Sequence, residues 1–138
     1  MSKYAVIYWS GTGNTEAMAK AVVEGLVAGG AEADLLPCGS VSSSQLAEYE
    51  GFAFGCSSAG AEELEQEEFR PMWDGIRSDL KGKKVVLFGS YGWGGGAYLE
   101  DWKGECSDMN LLDTFVCENT PDEEGLASCQ KLGKALLG

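Results

Sequence analysis

The stretch KKVVLFGSY, Lys83 to Tyr91, reads as the clearest buried strand in the chain. Its apolar residues run on with little of the alternation that marks a strand wet on one face. Both faces are therefore expected to be covered, as in a parallel sheet flanked by helices. Working outward, Lys3 to Trp9 reads as a strand and Asn14 to Ala28 as a helix. In that helix Met18, Val22 and Leu26 repeat every four residues beside Ala19, Val23 and Val27, which makes one buried face. Gly29 and Gly30 end it. Ala31 to Leu36 forms a second strand before Pro37, and GFAFGC, Gly51 to Cys56, a third that is apolar on both faces. SVSSSQ, Ser40 to Gln45, is a polar loop between them. A polar loop and an acidic helical segment lead to about Leu80. Beyond the central run come a helix over Ala97 to Ser107, a last strand over Leu111 to Glu118, and a closing helix from Asp122 to Leu137 whose start is set by Pro121 and Asp122. Strand and helix thus alternate five times. That order predicts an α/β fold, a doubly wound five-stranded parallel sheet with right-handed crossovers and helices on both faces.

At 138 residues the chain has the length of one ordinary domain, so residues 1–138 are expected to share one core. Hydrophobic residues make up 44% and charged residues 23%, the balance of a globular protein. No apolar run is long enough to span a bilayer, and no signal-peptide pattern opens the chain, which predicts a cytoplasmic monomer with no membrane partner. Ten basic against 22 acidic residues leave a net charge of -12. Such a charge repels phosphate backbones, excludes nucleic acid as a partner, and favours basic protein surfaces. The five cysteines are odd in number and show no close pairing, and there is no histidine. A zinc site, a disulfide framework and the Ser-His or Cys-His nucleophile pairs are all disfavoured, and buried, reduced thiols are expected.

Ligands of open α/β sheets bind beyond the carboxyl ends of the strands, where strand order reverses. Three loops there have unusual compositions. In SGTGNT, Ser10 to Thr15, two glycines let the backbone gather its NH groups, while Ser10, Thr12, Asn14 and Thr15 add hydroxyl and amide donors at a helix start. A Walker loop would need Lys after the second glycine, where Asn14 stands. The dinucleotide fingerprint would need a small residue at Glu16 and an acidic residue after the second strand, where Pro37 and Cys38 stand. A phosphoryl-accepting receiver would carry Asp where this chain has Cys56 and Ser57. A bound phosphomonoester remains. In SYGWGGGAY, Ser90 to Tyr98, glycines allow close approach to a flat ligand, and Tyr91 or Trp93 can cover a ring. SSAGAEELE, Ser57 to Glu65, turns at Gly60 and then becomes acidic, a composition that also fits a solvated helix start.

Taken together, the three loops resemble those of flavodoxins, small FMN-binding electron carriers. The likeness spans nearly the whole chain, through SGTGNTEAMA, GCSSAGAEELEQEEF and LFGSYGWGGGAYLEDW in order. The length, and the lack of a long insertion in the last strand, resemble the short-chain, clostridial-type branch. The resemblance implies strand order 2-1-3-4-5 and non-covalent FMN. It assigns the phosphate to Ser10, Gly11, Thr12, Gly13, Asn14 and Thr15, with Ser57 closing the far side. Trp93 would stack on the isoalloxazine within Ser90, Tyr91, Gly92, Trp93 and Gly94. Glu62 would accept the flavin N(3)H, and the Gly60 carbonyl would turn toward N(5) on one-electron reduction. Short-chain relatives often carry Met where this chain has Ala59, so the inner ring face should be covered less well.

The implied activity is low-potential one-electron transfer between semiquinone and hydroquinone, with no catalytic residue and no metal. Carboxylates near the ring, and no cation at the phosphate, disfavour a further negative charge on the flavin. Turning the Gly60-Ala61 peptide moves a positive φ onto Ala61 at a cost of about 1 kcal/mol. Ala61→Gly should therefore widen the gap between the two one-electron potentials. The implied partners are redox proteins that dock transiently through basic patches. An FMN-dependent NAD(P)H-quinone reductase on the same fold is the alternative, although 138 residues leave little room for its substrate pocket.

Overall fold

The computed structural model describes residues 3–9, 13–59, 63–65, 67–91, 97–118 and 120–137. Its elements run β1 (Lys3–Trp9), α1 (Asn14–Ala28), β2 (Glu32–Pro37), β3 (Gly51–Cys56), β4 (Ser58–Ala59), β5 (Glu63–Leu64), α2 (Phe69–Ile76), β6 (Lys84–Tyr91), α3 (Tyr98–Gly104), β7 (Asn110–Glu118) and α4 (Glu123–Leu136). The main sheet has five strands in the order β2-β1-β3-β6-β7, every neighbouring pair parallel. This is the 2-1-3-4-5 arrangement, with strands four and five of the sheet being β6 and β7.

The central strands bury alternate side chains on opposite faces, which is why their sequences show so little polarity. Ala5, Ile7, Phe52, Phe54, Val85 and Leu87 join one core with Phe69, Trp73, Tyr98 and Trp102. Tyr4, Val6, Ala53, Val86 and Phe88 join the other with Met18, Val22, Leu26, Leu132 and Leu136. On that second face α1 and α4 meet closely. A Cβ on Gly25 would collide with the backbone carbonyl of Gln130, and one on Gly133 with that of Val22. Glycine at both positions lets the two helix backbones touch. On the first face aromatic rings fill the space. Trp73 stands edge-on to Phe54 at 5.0 Å between centroids, and Trp102 edge-on to Phe69 at 5.4 Å.

A carboxylate joins α2 to the residues after α3. Glu105 Oε1 accepts from Arg70 at 2.7 Å, Arg77 at 2.7 Å and Trp73 Nε1 at 2.9 Å. Burial alone would push its carboxyl up, but the bonds from Arg70 and Trp73 and the guanidinium charges outweigh it and hold it below the usual value.

Three expectations are corrected. No α-helix lies between β2 and β3; two tight helical turns, Cys38–Ser40 and Ser43–Glu48, cover the polar stretch read as a loop, so the alternation of strand and helix is broken once. The first of these turns follows Pro37, and the second begins where the Ser42 N–H donates to Gln45 Oε1 at 2.7 Å. Among the described residues, the acidic segment is not helical until Phe69. Before it, Ser58 pairs with Leu64 and Ala59 with Glu63 in a short antiparallel hairpin. The helix expected over Ala97 to Ser107 spans only Tyr98–Gly104. The other elements agree within a residue, and Asp122 caps α4 by accepting the Gly125 N–H at 2.8 Å.

Candidate functional site

Strand order reverses between β1 and β3, because β2 lies on one side of β1 while β6 and β7 continue beyond β3. At the carboxyl ends beside this point, hydroxyls from α1, from the residue after β3 and from the end of β6 converge. Thr15, fully buried in the first turn of α1, shares a short hydrogen bond with the Ser57 hydroxyl after β3. Ser57 Oγ lies 3.5 Å from Ser90 Oγ near the end of β6. Gly13 enters α1 with φ +94 and ψ -10, a left-handed conformation that a side chain would strain, and its carbonyl accepts the Ala17 N–H at 3.1 Å. Among the described residues no side chain caps α1, in contrast to α4. The helix start therefore offers backbone N–H donors and the positive end of its dipole beside neutral hydroxyls.

Two aromatic residues border the same end of the sheet. Trp9 closes β1 and Tyr91 closes β6, both half-buried against the aromatic core. Trp9 Nε1 donates to Glu68 Oε1 at 3.4 Å, which ties the first strand to the acidic loop. The Tyr98 hydroxyl donates to the Cys56 carbonyl at 2.8 Å and holds α3 against the end of β3.

Within the acidic loop Glu65 differs from Glu67 and Glu68. Glu65 is only 7% exposed. Its Oε2 accepts the Glu67 N–H at 2.8 Å, and its Oε1 accepts the Glu68 and Phe69 N–H groups at 2.7 and 2.8 Å. Burial by itself raises its pKa, yet the three amide bonds prevail and keep it below the ordinary value. By contrast, Glu67 and Glu68 are exposed. Sequence reasoning singled out Glu62 and treated the remaining carboxylates of the run alike. The signal for Glu65 was its position between Leu64 and Phe69, both buried, which turns it inward while Glu67 and Glu68 are exposed.

Most of the thiols are withdrawn from solvent. Cys38, Cys56, Cys106 and Cys129 are buried, as expected, and Cys117 is half-buried. Burial pushes all five upward, Cys38 to about 11 with help from Glu68 and Glu65, and Cys106 and Cys129 to about 12.

Of the residues expected to hold a ligand, the structure brings Gly13, Asn14, Thr15, Ser57, Ser90 and Tyr91 to this one end of the sheet, and the Ala59 backbone enters the hairpin beside them. Ser10, Gly11, Thr12, Gly60, Ala61, Glu62, Gly92, Trp93 and Gly94 lie outside the described residues.

The flavodoxin family model matches residues 6–128. The chain belongs to the flavodoxin family. It is 37% identical over 132 residues to the flavodoxin of Megasphaera elsdenii, covering 94% of this chain and 95% of that one. It is 36% identical over 134 residues to the flavodoxin of Clostridium beijerinckii, covering 95% and 96%. The solution structure of two-electron reduced Megasphaera elsdenii flavodoxin superposes with a TM-score of 0.89 at 36% identity, covering 96% of this chain and 97% of that one. These are short-chain, clostridial-type flavodoxins, so the cofactor is FMN and the chain is an electron-transfer protein rather than an enzyme. The described residues fit that cofactor. The left-handed Gly13 at the start of α1, the dipole of that helix and the hydroxyls of Thr15 and Ser57 are suited to a phosphate, and the half-buried Tyr91 stands at the same end of the sheet.

Proposed function

We propose that the chain carries single electrons at low potential through non-covalent FMN, cycling between semiquinone and hydroquinone. The observation that supports this most is the meeting of Thr15, Ser57 and Ser90 beside the start of α1, at the switch point of a flavodoxin sheet. FMN supplies the redox chemistry, and the protein supplies its position and its electrostatic surroundings.

In this reading Ser10, Gly11, Thr12, Gly13, Asn14 and Thr15 hold the phosphate through backbone N–H groups and hydroxyls, with Ser57 on the far side. Ala59 lies against the inner face of the ring, the carbonyl of the Gly60-Ala61 peptide turns toward N(5) and Glu62 accepts N(3)H, while Trp93 stacks on the ring within the loop of Ser90, Tyr91, Gly92, Trp93 and Gly94, whose N–H groups face the pyrimidine edge. Phosphate held by dipoles rather than by Lys or Arg brings no full positive charge close to the ring. Exposed carboxylates such as Glu67 and Glu68 add negative potential beside it, so taking up a second electron costs more.

The same excess of acid over base, -12 in all, suits transient docking to redox proteins through their basic patches, with rates that fall as salt rises. A monomeric cytoplasmic protein of one domain fits this role. Among the described residues no helix is long and apolar enough to cross a membrane.

Stripping the flavin and titrating the apoprotein with FMN tests the reading. Stoichiometric uptake with quenched flavin fluorescence, and no steady NAD(P)H oxidation when a quinone is added, is the expected outcome. Failure to take up FMN, or sustained turnover of NAD(P)H, overturns it.

A further inference from the structure

Glu65 is the first residue after the return strand of the hairpin, since Leu64 pairs with Ser58. Its carboxylate accepts three successive amides at 2.7 to 2.8 Å, and its backbone carbonyl accepts the Arg70 N–H at 2.9 Å. Four bonds from one residue thus tie the return strand to the first turn of α2. That turn is itself fixed: Phe69 and Trp73 are buried in the aromatic core, and Arg70 is bound to Glu105. An ionised carboxylate facing amides at a helix start makes charge-assisted bonds, stronger than those of a neutral acceptor.

We propose that Glu65 is a positioning residue for FMN: by bonding the amides of Glu67, Glu68 and Phe69 it sets the return strand Glu63–Leu64, and so the loop that borders the flavin ring, without touching the cofactor. The inference rests on the functional reading above, and it adds a role for a buried carboxylate whose described acidic neighbours, Glu67 and Glu68, are exposed. Glu65→Gln keeps the shape and one acceptor oxygen. The other oxygen becomes an NH2 group opposed to a backbone N–H, so at least one of the three bonds is lost. A ring-bordering loop set less firmly weakens every ligand that carries the ring and leaves a phosphate alone unaffected.

The test compares wild type, Glu65→Gln and Glu67→Gln apoproteins in their affinity for FMN, riboflavin and inorganic phosphate. Glu67→Gln removes the same charge from an exposed side chain two residues away. In Glu65→Gln, FMN and riboflavin affinities are expected to fall together by about tenfold with phosphate affinity unchanged, while Glu67→Gln leaves riboflavin binding as in wild type. Unchanged ring affinity in Glu65→Gln, an equal loss for all three ligands, or an equal loss in Glu67→Gln overturns the proposal. Wild-type protein that binds no FMN overturns the functional reading as well; wild-type binding with an unaffected Glu65→Gln overturns this inference alone. Should Glu65→Gln fail to fold, hydrogen exchange of the wild type decides. The amides of residues 63–65 and 67–69 are expected to gain protection together when FMN binds, and free exchange at 67–69 in the FMN-bound protein contradicts the role.

Discussion

On one face of the sheet α1 and α4 approach until glycine backbones touch, and on the other α2 and α3 stand off across a layer of aromatic rings pinned by a shared carboxylate. The first arrangement rests on close fit, with an exposed hydrogen bond from Gln130 Nε2 to Glu24 Oε1 at 3.2 Å beside it, and leaves no room for a Cβ at Gly25 or Gly133. The second uses large rings, buried N–H groups and charge, and it is continuous with the acidic loop through Phe69 and with the end of β3 through Tyr98. The difference teaches where each kind of damage should register. Changes on the α1 and α4 face should lower global stability, whereas changes on the α2 and α3 face should also reach the ligand loops.

Gly25→Ala should break the first face most severely. The new methyl meets the Gln130 carbonyl, which belongs to the backbone of α4 and cannot rotate away, so a loss of about 3 kcal/mol is expected in urea unfolding. FMN affinity measured where the protein stays folded should change little. Glu105→Gln comes next, at about 2 kcal/mol, because it weakens the bonds from Arg70 and Trp73. Its pH dependence carries a sign. The folded value of Glu105 lies below the unfolded one of about 4.3, so its contribution is present above that pH and is lost as pH falls through the folded value. Unfolding curves of wild type and Glu105→Gln should therefore differ at neutral pH and converge in acid. Smallest of all should be Trp102→Phe, whose indole N–H is buried without a partner among the described residues. Removing that N–H offsets the lost ring volume, and the net change should stay within about 1 kcal/mol. A large loss there would show that the aromatic layer depends on shape as strictly as the glycine crossing does.

Much of this contrast was readable from residues close in sequence. The four-residue repeat of Met18, Val22 and Leu26 marks the buried side of α1, although Val27, read on the same face, is exposed, and the unbroken apolar runs of β3 and β6 mark strands covered twice. Glycines and hydroxyls follow the first strand in the sequence, and in the fold Thr15 and Ser57 meet. The turns at Cys38–Ser40 and Ser43–Glu48 were not, since a serine-rich stretch serves loop and helical turn equally well. Glu65 was not legible because its role depends on amides that the chain must fold back to bring within reach, and its composition matches that of the exposed Glu67 and Glu68. The Glu105 node joins residues about thirty positions apart, a distance at which charge pattern says nothing about pairing.

The most direct test of the central claim is a spectroelectrochemical reduction of the FMN-loaded protein. Two separate one-electron steps are predicted, the second at the lower potential, with a blue neutral radical passing between yellow and colourless forms. A single two-electron wave with no radical would contradict the account.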